Sequence, residues 1–300
     1  MKVYSMIKTT YVSIIIPTYN RAHIIGETIK SIINQTYPKW ELIIVDDGSS
    51  DNTESIIKQF GDSRIIYQQR PANRERGGNA ARNWGFEVSK GKYVKWLDSD
   101  DLLAPHCLEK QMSFIKENNL DVVFSRSRFF KEISSDGHFT WDKYWSKFFP
   151  LKDPFDNYLF GKIRFSTGDG LWKKQFIGPS PFQEDLRNSQ EWLMLVQQLS
   201  KKPNYHIDDE VLVYSRMHSE QMHNQKSFSF HYKHQILARY YAIKSLKKQG
   251  NLSGRRFKYL FKNMIFNFTR PVKKGEFKYF LSNTLILVKT CYHGVHILFK

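Results

Sequence analysis

Between Val12 and about Ser125, short apolar runs alternate with stretches of helical periodicity: VSIII, helix, ELIIV, helix, RIIY, helix, KYVKWL, helix, DVVF. This βαβα order points to an α/β fold with a mostly parallel sheet, because parallel neighbours need a long crossover and a helix is the usual one. The runs are continuously apolar and rich in Val and Ile, whereas a strand with one wet face would alternate, so helices are expected on both faces of the sheet. In the first helical stretch Ile24, Ile25, Thr28, Ile29, Ile32 and Ile33 recur at a spacing of about four, which turns one stripe to the sheet before Pro38 closes the connection. From about Arg126 to Met222 the pattern is less regular, with several Pro and Gly and the tryptophans Trp141, Trp145 and Trp172, which read as core residues more than as platforms on which a ligand ring could stack. Loops and short elements are expected there, with one clear helix in SQEWLMLVQQLSKK and a strand in DEVLVYSRMH.

Three hundred residues suit one large domain with an appendage. The charge shows where the appendage begins. Of the formal +17, residues 226–300 carry 16 Lys plus Arg against the single acid Glu276, or +15, and the remaining 225 residues are nearly balanced. A boundary at 225/226 follows, with a body whose halves are about 12–125 and 126–225, and a basic extension 226–300 of three helical stretches divided by Gly250 and by Pro271 with Gly275. Within SGRRFKYLFKNMIFNF, Phe257, Leu260, Phe261, Met264, Ile265 and Phe268 recur at helical spacing among Arg255, Arg256, Lys258 and Lys262. That stripe either lies in an anionic membrane interface or packs on the body with the lysines as a solvated face. Nucleic-acid binding is not expected, because no recognition motif accompanies the charge. Apolar runs near the end are broken at Lys278 and Lys289, far short of the roughly 20 residues of a spanning helix, and the start lacks a signal-peptide core. Cys107 and Cys291 have no metal or redox spacing, so a reducing, cytoplasmic setting fits, with peripheral association at the inner face of the membrane.

Ligands of open parallel α/β sheets bind at the carboxyl ends of the strands. Here strand one ends in Pro17, Thr18, Tyr19, Asn20 and Arg21, strand two in Asp46 and Asp47, and strand four in Asp98, Ser99, Asp100 and Asp101. Neither the GxGxxG of a dinucleotide fold nor a Walker lysine loop is present, which disfavours nicotinamide and flavin cofactors. Acids from separate strands on one rim repel, by roughly 3 kcal/mol for two charges about 5 Å apart at an effective dielectric near 20. A cation is expected among them, and oxygen-only ligands select Mg²⁺ or Mn²⁺, ions that also hold substrate phosphates. Arg82, in GGNAARNWG at the start of a predicted helix, could meet those phosphates with its planar fork.

SIIIPTYNR, VDDGSSDNT, GGNAARNWG and KWLDSDD, in that order, resemble the nucleotide-binding half of a family 2 glycosyltransferase with the GT-A fold, over about Val12 to Ser125 and more weakly to about Met222. The resemblance implies that Thr18, Tyr19, Asn20 and Asp47 hold the uracil and ribose of a UDP-sugar. It further implies that the metal-binding DxD corresponds to Asp98 and Asp100, with Asp101 immediately behind; Asp100 is the first candidate for the metal, and which acid of DSDD meets metal or ribose stays open. Similar enzymes carry their catalytic base as the second acid of a Glu-Asp pair at a helix start. Here Gln190 and Glu191 stand at that position, so Glu191 is the candidate and Glu184 and Asp185 are the fallback. His218 in YSRMH matches a histidine near the metal or diphosphate. The implied function is metal-dependent, inverting transfer of a sugar to a saccharide or lipid-linked acceptor of surface-polysaccharide synthesis. The alternatives are a non-catalytic sugar-nucleotide or membrane-binding module and a nucleotidyltransferase.

Overall fold

Each apolar run of the first half becomes a strand, and β1 and β2 are buried along their whole length. The computed structural model describes residues 12–134, 137–144, 153–217, 228–273 and 280–298. In chain order its elements are β1 (Val12–Thr18), α1 (Ile25–Ile33), β2 (Trp40–Asp46), α2 (Thr53–Lys58), β3 (Ile65–Gln69), α3 (Gly78–Val88), β4 (Tyr93–Trp96), β5 (Leu102–Leu103), α4 (Cys107–Asn118), β6 (Val122–Ile133), β7 (Phe139–Tyr144), α5 (Pro154–Leu159), β8 (Gly170–Lys173), α6 (Lys174–Ile177), α7 (Gln190–Leu199), β9 (Tyr205–Arg216), α8 (Phe228–Lys248), α9 (Gly254–Lys273) and α10 (Phe280–Leu298). They fall into two compact units, the first drawn from residues 1–150, 164–181 and 204–216 and the second from 151–163, 182–203 and 217–300.

The first unit holds a mixed sheet in the order β3-β2-β1-β4-β8-β6-β9-β5, with β7 on β6. β1 to β4 pair in parallel, as the βαβα order requires, whereas β8 is antiparallel to both β4 and β6. Continuous apolar strands are explained by helices on both faces. Ile14, Ile16, Leu42 and Ile44 pack with Ile25, Ile29 and Ile32 of α1 and Leu108, Met112 and Ile115 of α4, and Ile43 and Val45 pack with Ala81 on the α3 side. Gly85 lets α3 approach closely: a Cβ there would lie 2.5 Å from Ile15 Cγ2 and 3.3 Å from Val45 Cγ2.

The strands expected in DVVF and in DEVLVYSRMH are present but longer than the runs that mark them: β6 and β9 each reach twelve residues, and β6 extends into the region expected to be loops and short elements. Irregular pairing between them, with register shifts at Phe124/Arg126 and Arg126/Ser127, hides the two-residue period that marks a regular strand. Trp172 is fully buried, in agreement with its reading as core; Trp141 is half-buried and stacks on Phe139; Trp145 lies outside the described residues.

In the second unit α8 packs against α7, α9 and α10. Buried side chains include Leu193, Val196, Ile236, Ile243, Phe257, Leu260 and Met264. Three residues of the apolar stripe on α9 are therefore its packing face. Arg256 Nε pairs with Asp156 Oδ1 at 2.7 Å, and Asn251 Nδ2 donates to Ser200 O at 2.8 Å.

Candidate functional site

The parallel pairing of β1 with β2 and β4 brings the polar ends of all three strands to one rim of the first unit. Asp47 N donates to Thr18 O at 2.9 Å, which joins the loop after β2 to the end of β1. Asn20 adopts a left-handed backbone at φ 51°, a conformation that Asn tolerates better than most residues. Its backbone N donates to Ser49 Oγ and its side-chain oxygen accepts from Ser50 N, both at 2.8 Å. Arg21 N and Ala22 N are held by Thr53 Oγ1 and Asp51 Oδ2. The PTYNR loop is thus stitched to the DDGSSDNT loop. Thr18 is buried, with its hydroxyl making no hydrogen bond among the described residues, whereas Tyr19 is 48% exposed.

The acids on this rim divide their work. Asp46 is buried; its Oδ1 accepts from Gly48 N at 2.9 Å and Ser49 N at 2.7 Å, and its Oδ2 from Tyr67 hydroxyl at 2.9 Å. Burial, then the hydrogen bond to the Asp46 carboxylate, pushes the Tyr67 phenol upward, so it stays a donor. Asp47 instead turns to Arg70, whose Nε lies 2.5 Å from Oδ1.

On the opposite flank of β1, Arg82 Nη2 meets Asp98 Oδ1 at 2.7 Å. The guanidinium lies over Gly78, where a Cβ would be 2.9 Å from Arg82 Nη1 and 3.9 Å from Pro17 Cβ, so Pro17, Arg82 and Asp98 are neighbours. Ser99 is buried and its carbonyl accepts from Thr28 hydroxyl at 3.0 Å. Asp101 Oδ1 accepts from Arg216 N at 3.0 Å and its Oδ2 from Ser215 hydroxyl at 3.1 Å, which ties it to the end of β9; Arg216 also reaches Asp100 O and Glu27. Burial pushes the Asp101 carboxyl well above the usual carboxylate range, and the charges of Asp100 and Asp98 push it the same way.

Acids crowded in this manner fit a cation. Among the described residues no three His, Cys, Asp or Glu side chains form a ready metal cage. The donor set fits a hard ion that completes its shell with substrate oxygens and water, as Mg²⁺ does. His218 lies outside the described residues.

In the second unit Glu191 stands in the first turn of α7, after Ser189 in a left-handed backbone at φ 60°. An acid is favoured there by the helix dipole. Arg239 lies over the Trp192 ring at 4.2 Å and donates to Ser189 Oγ at 3.3 Å; burial lowers the Arg239 guanidinium to about 10. Of the fallback acids, Asp185 accepts from Tyr241 hydroxyl at 2.5 Å.

The model of one protein family, described as Glycosyl transferase family 2, matches residues 13–172, more than half of the chain and all of the rim from Pro17 to Asp101. The chain belongs to glycosyltransferase family 2. Its sequence is 38% identical over 128 residues to the Escherichia coli enzyme WfgD, described as a UDP-Glc:alpha-D-GlcNAc-diphosphoundecaprenol beta-1,3-glucosyltransferase. That match covers 43% of this chain and half of the length of WfgD. Among solved structures, S. aureus TarS in complex with UDP-GlcNAc is similar with a TM-score of 0.63 at 18% identity, covering 93% of this chain and 79% of the other. The mannosyltransferase PcManGT of Pyrobaculum calidifontis, in complex with GDP-Man and Mn²⁺, is similar with a TM-score of 0.51 at 16% identity, covering 96% and 86%. The family 2 chain thus has the GT-A fold expected from its motifs.

Residues that the motifs did not single out hold this glycosyltransferase's rim in place: Arg70 on Asp47, Thr28 on the Ser99 carbonyl, and Arg216 on Asp100 and Asp101. Arg70 carried a readable signal, because it follows an apolar strand and so falls on the ligand-binding rim. Arg216 carried none, since its partners are more than a hundred residues away in sequence.

Proposed function

We propose that this family 2 enzyme transfers a sugar from a UDP-sugar to a saccharide acceptor carried on a lipid, in the synthesis of a surface polysaccharide. The observation that carries the reading is the joining of three strand ends into one acid-rich rim, closed by the Arg82–Asp98 pair at 2.7 Å and the Asp47–Thr18 backbone bond at 2.9 Å. WfgD, by its description, takes UDP-Glc and a diphosphoundecaprenol-linked acceptor, and TarS was solved with UDP-GlcNAc, which supports a uridine donor and a lipid-linked acceptor.

In this reading Thr18, Tyr19, Asn20 and Asp47 receive the uracil and ribose, with Pro17 and Arg21 shaping the loop. The buried Thr18 hydroxyl gains a partner in the nucleotide. Asp98 and Asp100 hold Mn²⁺ or Mg²⁺, which supplies positive charge to the diphosphate, and Asp101 and Ser99 fix the turn that presents them. The Mn²⁺ bound to PcManGT supports the choice of ion. Arg82 orients Asp98 and adds positive charge beside the diphosphate. Glu191 accepts the proton of the acceptor hydroxyl as its oxygen bonds to the anomeric carbon. The bond from that carbon to the diphosphate oxygen breaks with its electrons going to the nucleoside diphosphate. A single displacement of this kind inverts the anomeric centre.

The test is a donor panel read by nucleoside diphosphate release, with and without Mn²⁺, on the full chain and on Glu191→Gln. Transfer from a UDP-sugar that requires metal, falling at least about a hundredfold in the variant while UDP binding is kept, is the expected outcome. Pyrophosphate as the product would make the chain a nucleotidyltransferase, and UDP binding without turnover would make it a binding module.

A further inference from the structure

A helix packed on one side and bathed in water on the other turns its apolar residues inward. Over its described side chains, 283–292, α10 departs from this. It buries Asn283 and Thr290, at 4% and 0% exposure, and half-buries Ile286 and Leu287, while Leu285, Val288 and Tyr292 stand 63%, 62% and 78% exposed. Their spacing of three and four places the exposed residues on a single stripe. Thr290 hydroxyl turns back to Ile286 O at 2.7 Å, within its own helix, and the buried Asn283 Oδ1 makes no hydrogen bond among the described residues. α9 adds Ile265 and Phe266, 40% and 50% exposed. Arg255, Lys258, Lys262 and Arg270 of α9 are exposed too, the last with its guanidinium 4.4 Å from the Phe266 ring, and Lys289 is exposed next to Val288.

We propose that the outward stripe of α10, with Leu285, Val288 and Tyr292, is a docking surface for an anionic lipid bilayer. This deepens the reading of a lipid-linked acceptor and rests on it for its purpose. The occupant is chosen by charge. With 16 Lys plus Arg against one acid in residues 226–300, a second copy of this surface would be repelled, whereas anionic headgroups attract the lysines and the acyl boundary receives the apolar stripe. Tyr suits that boundary, with an apolar ring and a polar tip. Among the described residues no helix is long and apolar enough to cross a membrane, so the contact is with one face of the bilayer. The surface is centred on α10 and not on the apolar stripe of α9 singled out in the sequence, of whose six residues Phe257, Leu260 and Met264 are buried in the helical unit.

The experiment is flotation of the full chain with phosphatidylglycerol vesicles and with phosphatidylcholine vesicles, repeated for the triple variant Leu285→Ser, Val288→Ser, Tyr292→Ser. These side chains are exposed, so the variant should fold, which circular dichroism checks. Binding to the anionic vesicles, much weaker binding to the neutral ones, and a loss of roughly a hundredfold in the variant are expected. Wild-type protein that stays unbound at low salt, or a variant that floats like wild type, overturns the proposal. So does a variant that changes from dimer to monomer with vesicle binding unchanged, which would make a second copy the occupant. Transfer to a water-soluble acceptor is measured alongside: it should be the same in both proteins, and its absence from both with vesicle binding intact would sink the transfer reading alone.

Discussion

Adjacent acids after β2 should fail in different ways when replaced. Asp46 accepts three hydrogen bonds, from Gly48 N, Ser49 N and the Tyr67 hydroxyl, and all three are within 2.9 Å. Bonds to a charged acceptor contribute roughly 1.5–3 kcal/mol each, and water can replace part of the loss at the two turn amides, so Asp46→Ala should destabilise the chain by about 3 kcal/mol. Asp46→Asn keeps the shape: its carbonyl can take both amides, and its amino group can donate to the Tyr67 oxygen, which leaves a cost of about 1 kcal/mol. Asp47→Asn removes the charge facing Arg70, whose side chain is only 9% exposed, and should cost about 1 kcal/mol of stability. Its larger effect belongs to the donor, because losing one charged acceptor for uracil or ribose should weaken UDP binding by about tenfold to a hundredfold. Urea unfolding gives the first quantity and titration calorimetry with UDP the second. A stable Asp46→Ala, or an Asp47→Asn that binds UDP as wild type does, refutes the division of labour drawn between them.

Gly85→Ala should lower stability by about 1–2 kcal/mol, because the overpacking against Ile15 at 2.5 Å exceeds the roughly 1 kcal/mol gained in helix propensity; a lower urea midpoint at unchanged slope is the readout. Asp98→Asn should reduce metal-supported transfer at least about a hundredfold while changing stability by less than about 1 kcal/mol, since the Asp98 side chain is 53% exposed; manganese-dependent activity and thermal unfolding separate the two. An Asp98→Asn enzyme with wild-type response to Mn²⁺ would remove that residue from the metal site.

Strands β1 to β4 and the helices between them were legible because each is specified locally: VSIII and ELIIV cannot be half-wet strands, and Ile25, Ile29 and Ile32 mark the buried stripe of α1. The full lengths of β6 and β9 were not, although DVVF and DEVLVYSRMH marked part of each, because their pairing is long-range and irregular. The outward face of α10 was hidden for a related reason. Its sequence shows an apolar helix, but which residues point inward depends on α8 and α9, and the buried positions among its described side chains are Asn283 and Thr290. The grouping of 151–163 and 182–203 with the C-terminal helices likewise has no local signature.

The acids themselves were legible, and their roles were not, because a role depends on which donors arrive from elsewhere. Carboxylates gathered on one rim repel one another, and the rim offsets this by committing some acids to the scaffold. Asp46 is held by its own turn and Tyr67, and Asp101 by Ser215 and Arg216 at the end of β9. Asp47 and Asp98 are each given an arginine, Arg70 and Arg82, which holds the carboxylate in position as a positive partner. Both arginine side chains are 9% exposed, so each charge is shielded from water and the pairing is stronger than at an open surface. Asp98 remains 53% exposed, so its pairing with Arg82 leaves it room to meet a ligand, and in the proposed reading the same guanidinium lies beside the departing diphosphate. Replacing Arg82 should therefore lower turnover more than it weakens donor binding, since an interaction that strengthens with leaving-group charge acts on the transition state before the ground state. Steady-state kinetics of Arg82→Lys settle this: a fall in kcat of about tenfold or more with KM for the donor nearly unchanged is expected, and a rise in KM at constant kcat would reduce Arg82 to a positioning residue for the bound nucleotide.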